Sequence, residues 1–194
     1  MKWKYAFGIL LVAFMLESCK EKASNQSEPE KESNETQKVS IGENPYEGLR
    51  NLSLSANPKE LGLSLDPTKT VVYGIVMDWE VGGAIATTVS YLTGDASLYV
   101  STGAAVIGGF QHKNVNSAAK QFVKTAESFL EKAVKTEATV LPSTGEVKFY
   151  ILTNKGIFFG GDKIENLENG SSPWMKLFNE GNKVMAELRK VAPK

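Results

Sequence analysis

Hydrophobic and polar positions divide the chain into three stretches of different pattern. Residues 6–16 are continuously apolar, whereas residues 20–44 are rich in glutamate, lysine, serine and asparagine and hold only two large apolar residues, Val39 and Ile41. From residue 45 onward, apolar residues recur at spacings of two, three and four positions, which are typical of strands and amphipathic helices. The pattern therefore predicts one folded domain over 45–194, a length sufficient for a single hydrophobic core.

Strand-like and helix-like segments alternate within this domain. Five segments rich in β-branched and aromatic residues are predicted to be strands, and they cover 70–79, 84–92, 97–107, 147–153 and 157–159. Turn residues such as Gly94-Asp95 separate them and tolerate the positive φ of a tight hairpin. Helices are predicted from capping signals and a repeat of three to four residues, and they cover 44–52, 115–133 and 174–191, with a further start signal at Asn57-Pro58.

The order of the elements is helix, three strands, helix, two strands, helix. We expect an α+β single domain (α-β-β-β-α-β-β-α) in which an antiparallel sheet of about five strands carries its helices on one face. This order resembles that of type III secretion chaperone-like domains, and less closely that of roadblock and profilin-like folds. No motif accompanies the resemblance, so it implies a fold and little about function.

The N-terminus carries the features of a secretory signal. Lys2 and Lys4 precede the apolar run, which is shorter than the roughly 20 residues that a membrane span needs. The sequence Leu-Glu-Ser-Cys then ends at Cys19, the single cysteine. This arrangement resembles a bacterial lipoprotein signal peptide with its lipobox. The resemblance implies that residues 1–18 are removed and that the Cys19 sulfur is acylated; the alternative is a free thiol behind an uncleaved anchor.

Residues 19–44 are then the lipidated cysteine and a polar linker, whose low apolar content predicts disorder. The residue after the cysteine is Lys20, whereas sequences that resemble an inner-membrane retention signal have an aspartate there. Lys20-Glu21 partly resembles the surface-export signal of Bacteroidetes lipoproteins. We expect a protein anchored by its lipid in the bacterial cell envelope, with the outer membrane favoured and the leaflet left open. A plain spacer explains the linker equally well.

Charge and composition exclude several classes of partner and cofactor. The chain has 22 basic and 22 acidic residues, and this balance offers no electrostatic footprint for nucleic acid. One cysteine cannot form an internal disulfide, and one cysteine with one histidine cannot form a typical structural zinc site. We therefore expect no metal site and no cofactor.

Three residues are candidates for catalytic chemistry. His112, the single histidine, lies between a glycine-rich strand end and a helix start, and as a general base it would need an orienting carboxylate and a nucleophile. Asp78 and Glu80 end a predicted strand and share one face by alternation, where they could form a hydrolase pair or hold a hard cation. The favoured interpretations are simpler: a histidine in an exposed loop, and a solvated strand end beside a core tryptophan.

Glycines cluster near the end of the third predicted strand. Gly103, Gly108 and Gly109 are candidates for ligand binding through bare backbone, but the segment lacks the Gly-Lys-Ser/Thr of a phosphate loop. The favoured interpretation is a strand of small residues on which a helix packs closely.

These features favour a binding protein over an enzyme. We expect the domain to bind another protein, in an adaptor, chaperone-like or inhibitor-type role, while the lipid on Cys19 contacts the membrane. Two alternatives stay open: an envelope hydrolase that uses His112, Asp78 and Glu80, and a domain that holds a small apolar ligand between sheet and helices. Convergence of the three polar residues in one pocket would favour the hydrolase, and a sizeable apolar cavity would favour the small ligand.

Overall fold

The computed structural model describes residues 44–192 as an α+β fold built on one antiparallel sheet. The helices are α1 (Tyr46–Leu54), α2 (Lys113–Glu127), α3 (Ile164–Glu168) and α4 (Met175–Val191), and a 3₁₀-helix (Gly109–Gln111) precedes α2. The strands are β1 (Val72–Val81), β2 (Ala84–Tyr91), β3 (Ala96–Val100), β4 (Ala105–Val106), β5 (Val134–Thr136), β6 (Glu146–Thr153) and β7 (Gly156–Lys163). The predicted signal peptide 1–18, Cys19 and the linker up to residue 43 lie outside the described residues. Between residues 44 and 192, no helix combines the length and the apolar character that a bilayer span requires.

The sheet has seven strands in the order β4-β3-β2-β1-β6-β7-β5, and each neighbouring pair is antiparallel. The prediction of about five strands is therefore wrong, because it missed both edges. The segment 97–107 breaks at Gly103, whose φ of +104° forms a turn in which the Gly103 amide donates to the Val100 carbonyl. β5 has three residues, too few for an alternating pattern to be visible. Such short edge strands limit pairing with other chains.

The element order also differs from the predicted one. The five residues of α3 follow β7 directly, and the start signal at Asn57-Pro58 produces turns instead of a helix. Asn57 Oδ1 accepts a hydrogen bond from the Lys59 amide at 2.9 Å, a local turn that competes with helix formation. Gly62, with a φ of +72°, adopts a left-handed conformation that a helix cannot continue through. Residues 55–71 therefore cross from α1 to β1 as an irregular segment.

The helices α2 and α4 pack on one face of the sheet, which we call the helical face. The larger apolar core lies between them and the strands, and its fully buried members include Ile75, Met77, Phe122, Phe149, Leu177 and Leu188. Gly181 lets α4 approach closely, because a Cβ there would lie 2.5 Å from the Met77 sulfur. A residue that costs a helix about 1 kcal/mol relative to alanine is thus required by packing.

The prediction that all helices pack on one face is wrong. The helix α1 and part of the irregular segment cover the opposite face, which we call the tyrosine face. Their second apolar cluster has as buried members Tyr46, Leu54, Tyr73, Val76, Val89, Tyr99, Tyr150 and Leu152. The sequence did carry a signal for this, since residues 71–77 (VVYGIVM) form a continuous apolar run, and in the structure the seven residues from Val72 to Asp78 are buried. A continuous apolar run of this kind is typical of a strand covered on both faces.

Candidate functional site

Hydrogen bonds join α1 to the tyrosine face through its phenol groups. Tyr91 donates to the Ser53 carbonyl at 2.9 Å, and the Tyr99 hydroxyl lies 3.2 Å from Ser53 Oγ. Tyr73 donates to the carbonyl of Ala56, just after the helix, at 2.9 Å. Buried hydroxyls that are satisfied in this way stabilise one docking geometry. The tyrosine face is therefore a closed structural interface.

Arg50 on α1 and Asp78 on β1 form a buried ion pair in this interface. Arg50 is 4% exposed and Asp78 is completely buried. Arg50 Nε and Nη2 donate to Asp78 Oδ2 at 2.9 and 2.6 Å, and Thr87 Oγ1 donates to Asp78 Oδ1 at 2.6 Å. The Tyr46 hydroxyl lies 2.8 Å from Thr87 Oγ1, and because the Thr87 proton is committed to Asp78, Tyr46 is the donor in that bond.

The same arginine also fixes the segment that enters β6. Arg50 Nη2 donates to the Thr139 carbonyl at 2.9 Å, and the guanidinium carbon lies 5.5 Å from the centroid of the Tyr150 ring. Tyr150 in turn donates to the neighbouring Val140 carbonyl. One buried cation therefore connects α1, β1 and the chain at 139–140.

Burial controls the ionisation of the phenols around this pair. Desolvation raises the pKa of Tyr46 to about 12, although the hydrogen bond with Thr87 opposes the change. Desolvation also raises the pKa of Tyr150 to about 12, and the nearby Asp78 carboxylate adds to the effect. Burial, the largest single effect, acts to lower the pKa of Arg50, but the hydrogen bond to Asp78 and the charge of that carboxylate act together against it, and the pKa is raised. At neutral pH the phenols are neutral and Arg50 is charged, so the network acts as a structural support and not as a proton donor.

Glu80, the second acidic candidate, is committed to the backbone. Its Oε2 accepts the Gly145 amide and its Oε1 accepts the Gly83 amide, both at 2.7 Å. These two hydrogen bonds, that from Gly145 first, hold the pKa of the Glu80 carboxyl below its usual range. The ionised side chain therefore links the β1–β2 turn to the start of β6.

His112 lies apart from both acids. It is exposed and immediately precedes α2, which packs on the helical face, whereas Asp78 points to the tyrosine face. A shallow cavity of about 260 Å³ beside it is lined also by Glu187 and Lys190 of α4. Among the hydrogen bonds of residues 44–192, none joins the His112 side chain to either acid. The structure thus does not bring the three candidate residues together, and the described part of the chain holds no group of three metal-ligating side chains.

The candidate glycines have conformational and packing roles. Gly103 and Gly108 have φ values of +104° and +80°, which other residues rarely adopt, and the space where their Cβ would lie is open. A Cβ on Gly109 would lie 2.6 Å from Val115 and 2.7 Å from Leu188. Gly109 therefore permits close packing of the 3₁₀-helix against α2 and α4, as the favoured interpretation expects.

An apolar cleft of about 470 Å³ opens on the helical face, where β1 turns into β2. We call it the Trp79 cleft. It is lined by Trp79, Val81, Ala84, Ala86, Leu98, Val100, Met185 and Arg189.

The floor of the cleft is formed by three adjacent strands. The register pairs Trp79 with Ala86 and Ala86 with Val100, so these side chains lie side by side on one face. Val81 pairs with Ala84 in the next row toward the end of the sheet. The two alanines leave empty the volume that a branched side chain would fill.

The roof of the cleft is the last part of α4. Met185 and Arg189 are four residues apart and therefore share one side of the helix. Phe178 packs edge-on against Trp79, with ring centroids 5.2 Å apart. The Trp79 ring is thus held on one side, while its half-buried other side faces the cleft.

Arg189 is the one charged residue among the lining residues. It is exposed, and no ion pair or hydrogen bond between residues 44 and 192 involves its guanidinium. The nearby Glu187 is paired with Lys190 at 2.5 Å. A positive charge at the edge of an apolar cleft is therefore available to an anionic group of a ligand.

A larger opening of about 560 Å³ lies between the irregular segment and the β6–β7 turn. Its polar groups already bind one another, since Lys155 Nζ donates to the Pro67 carbonyl at 2.7 Å and Asn154 Nδ2 donates to the Lys69 carbonyl at 2.9 Å. Its walls are loops, whereas strands and a helix form the Trp79 cleft and hold side chains more firmly. The Trp79 cleft is therefore the better candidate site.

The sequence analysis did not predict the Trp79 cleft, because its candidate site residues were charged residues, a histidine and glycines. The available signal was the pair Ala84 and Ala86, which places small side chains at alternate positions on one face of a strand. The path of α4 over that face depends on tertiary packing, which no local pattern encodes.

Comparison with protein-family models, with curated proteins and with solved structures finds no match for this chain. The resemblance in element order to chaperone-like domains therefore stays a prediction. Function must be argued from the site itself.

We predict that Arg50→Met destabilises the domain by about 3–5 kcal/mol, because it leaves the buried Asp78 carboxylate without its cation. The double variant Arg50→Met/Asp78→Asn should recover a large part of that loss, since neither charge is then left unpaired. Urea unfolding of both single variants and the double variant measures the coupling. Glu47→Gln, an exposed change on the same helix, is the control. A loss below 1 kcal/mol for Arg50→Met would contradict a structural role for the pair.

Proposed function

We propose that the chain is a lipid-anchored protein of the bacterial cell envelope whose domain binds a partner protein in the Trp79 cleft. The preferred ligand is an extended segment with apolar side chains at alternate positions and an acidic residue beside them. The single observation that carries this proposal is an apolar cleft between strands and a helix, with Arg189 at its edge.

The shape and lining of the cleft support binding of an extended segment. Its volume of about 470 Å³ lies within the range of about 300–1,000 Å³ that ligand sites occupy. Tryptophan, methionine and arginine are enriched at protein interfaces, and all three are present. Side chains at alternate positions of an extended segment point to one side, and two of them can enter the cleft together.

Charge supports an acidic component in the ligand. Arg189 lies at the edge of an otherwise uncharged lining, so an aspartate or glutamate of the partner can pair with it. A pair in such an exposed position contributes little affinity and acts mainly on the association rate and on orientation. The apolar contacts supply the affinity.

The positions of the acidic candidates favour binding over hydrolysis. Asp78 is enclosed by Arg50 and Thr87, and both carboxylate oxygens of Glu80 accept backbone amides. A general acid or base needs access to the substrate proton, which neither carboxylate has in this arrangement. Since His112 lies on another surface, a hydrolase built from these three residues has no geometric support.

A second candidate function is capture of a single acyl chain. The observation in its favour is the same volume with an apolar lining that includes Trp79 and Val100 of the floor and Met185 of the roof. The open, partly exposed mouth of the cleft favours the peptide, because a protein that holds a lipid chain buries most of its surface.

The proposed anchor places the domain close to the membrane. A diacylglyceryl group on Cys19 gives stable attachment, since two acyl chains convert marginal membrane binding into lasting binding. Such an anchor would keep the domain at the membrane that carries the lipid. Its partner is then expected at the same envelope surface, with the outer membrane favoured.

We predict that Ala86→Leu weakens binding at the cleft at least tenfold, because the added side chain fills the space between Trp79 and Val100. The probe is an acetylated and amidated pentapeptide, Leu-Ser-Leu-Gly-Glu, for which a dissociation constant on the order of 100 µM is expected. Calorimetric titration measures the affinity. The free energy of unfolding should change by less than about 1.5 kcal/mol, because the leucine enters existing free volume.

Two further variants test this result. Ala186→Leu places the same added volume on an exposed position of α4 outside the cleft and should leave binding unchanged. Arg189→Glu should weaken the acidic peptide several-fold and have less effect on a Leu-Ser-Leu-Gly-Gln peptide. If Ala86→Leu and the natural chain bind the acidic peptide with equal affinity, the cleft is not the peptide-binding site. If a fatty acid binds more tightly than either peptide, the acyl-chain function is favoured.

We predict that Cys19 alone controls membrane residence. Cys19→Ala should block acylation and signal removal at this position, measured by metabolic labelling with a palmitate analogue. The chain from Lys20 onward, exported behind a conventional secretory signal, should be recovered in the soluble fraction with unchanged urea stability. Membrane association of this shortened chain in the absence of a protein partner would contradict the proposal.

A further inference from the structure

We propose that Thr88 determines the specificity of the Trp79 cleft, because its buried hydroxyl forms a hydrogen bond with the phenol of a tyrosine side chain that enters the cleft. This inference rests on the proposed function of the cleft and names the side chain that the partner segment presents. It starts from a polar atom on the helical face that has no role in holding the fold together.

The Thr88 hydroxyl is buried without a hydrogen bond. Thr88 is completely buried, and no partner for its Oγ1 lies among residues 44–192. Its neighbour Thr87 has the usual arrangement, since the Thr87 hydroxyl bonds to Asp78 and to Tyr46 on the tyrosine face. A buried hydroxyl without a partner is costly, and a valine of nearly the same shape would fill the position without that cost. The hydroxyl of Thr88 therefore points to a hydrogen-bonding group that comes from a ligand.

Thr88 lies directly behind the inner end of the Trp79 cleft. Along β2, alternation places Ala84, Ala86 and Thr88 on the helical face, and the two alanines line the cleft. Thr88 pairs with Leu98, which also lines the cleft. The Cβ atoms of directly paired residues are about 4.5–5.5 Å apart. The unpartnered hydroxyl is thus carried by the nearest neighbour of a lining residue.

The length and the walls of the cleft suit an aromatic ring. Residues two positions apart on a strand are separated by about 6.6 Å, so a ring that lies across Ala86 ends beside Thr88. Trp79 is paired with Ala86 and offers an aromatic surface on which a second ring can pack. Met185 in the roof has an unbranched, flexible side chain that can change rotamer to admit the ring.

Tyrosine is the side chain that fits this combination of apolar walls and a polar end. Its ring is apolar, and its hydroxyl lies at the tip. The Thr88 hydroxyl can accept the phenol proton or donate to the phenol oxygen. Phenylalanine fills the same space but leaves Thr88 without a partner. We therefore expect a tyrosine at one of the two apolar positions of the partner segment, with the acidic residue still beside Arg189.

The test compares two acetylated and amidated pentapeptides, Leu-Ser-Tyr-Gly-Glu and Leu-Ser-Phe-Gly-Glu, which differ by one hydroxyl. The chain from Lys20 onward is used, because all described elements lie within residues 44–192. In calorimetric titration the tyrosine peptide should bind roughly three- to tenfold more tightly than the phenylalanine peptide. Thr88→Val should remove this preference by weakening the tyrosine peptide alone, and Thr88→Ser, which keeps the hydroxyl, should retain it.

Ser90 offers a matched control. Its Oγ is also buried and has no partner within the described part of the chain, but it lies two positions further from the cleft and pairs with Ala96. Ser90→Ala should therefore leave the preference for tyrosine unchanged. In urea unfolding, Thr88→Val should be at least as stable as the natural chain, because it removes an unpartnered buried hydroxyl. A clear loss of stability would contradict the premise that the hydroxyl has no partner inside the domain.

The outcomes separate this inference from the proposed function. Equal affinity of the natural chain for the two peptides, or a preference for tyrosine that persists in Thr88→Val, would overturn the role of Thr88. If Ala86→Leu still weakens both peptides in that case, the cleft remains a binding site. Absence of binding of either peptide to the natural chain would overturn the proposed function as well. A preference for tyrosine that is lost in Thr88→Val and kept in Thr88→Ser supports both.

Discussion

The buried pair of Arg50 and Asp78 is the interaction on which the arrangement of this domain depends. Removing two charges from water is costly, and the cost is offset only where every polar atom finds a partner. Here Thr87, the Thr139 carbonyl and the Tyr150 ring supply those partners. The pair thereby fixes α1 on the tyrosine face, and that face becomes a closed interface. Of the two faces of the sheet, the helical one then carries the open cleft.

Much of the fold could be predicted from the sequence, because long strands and amphipathic helices have strong local patterns. The helix α4 and the strand β2 lie within predicted segments, and α2, β1 and β6 overlap theirs with boundaries shifted by one or more residues. The edge strand β4 was merged with β3 in the predicted segment 97–107, and β5 was missed because three residues carry no measurable period. The side on which α1 docks was also missed: the apolar run of β1 is typical of a strand covered on both faces, but the ion pair that fixes α1 there joins residues 28 positions apart.

The candidate site could be predicted far less well, and the reason is physical. Acidic residues in a sequence are natural candidates for catalysis, yet Asp78 and Glu80 stabilise the fold through hydrogen bonds to Arg50 and to the Gly145 amide. A cleft forms where side chains do not fill the space between two elements. The small side chains of Ala84 and Ala86 therefore indicate a cleft only once the position of α4 above them is known.

Methyl and indole resonances of the domain give the most direct test of the claim that function lies in the cleft and not in the charged network. Titration of the chain from Lys20 with the Leu-Ser-Leu-Gly-Glu peptide should shift the Met185 methyl and the Trp79 indole N–H resonances together, with one affinity. The ring resonances of Tyr46 and Tyr150 should stay unchanged, because their face is closed by α1. Shifts confined to His112 and the tyrosine face, with Met185 and Trp79 unaffected at saturating peptide, would contradict the account.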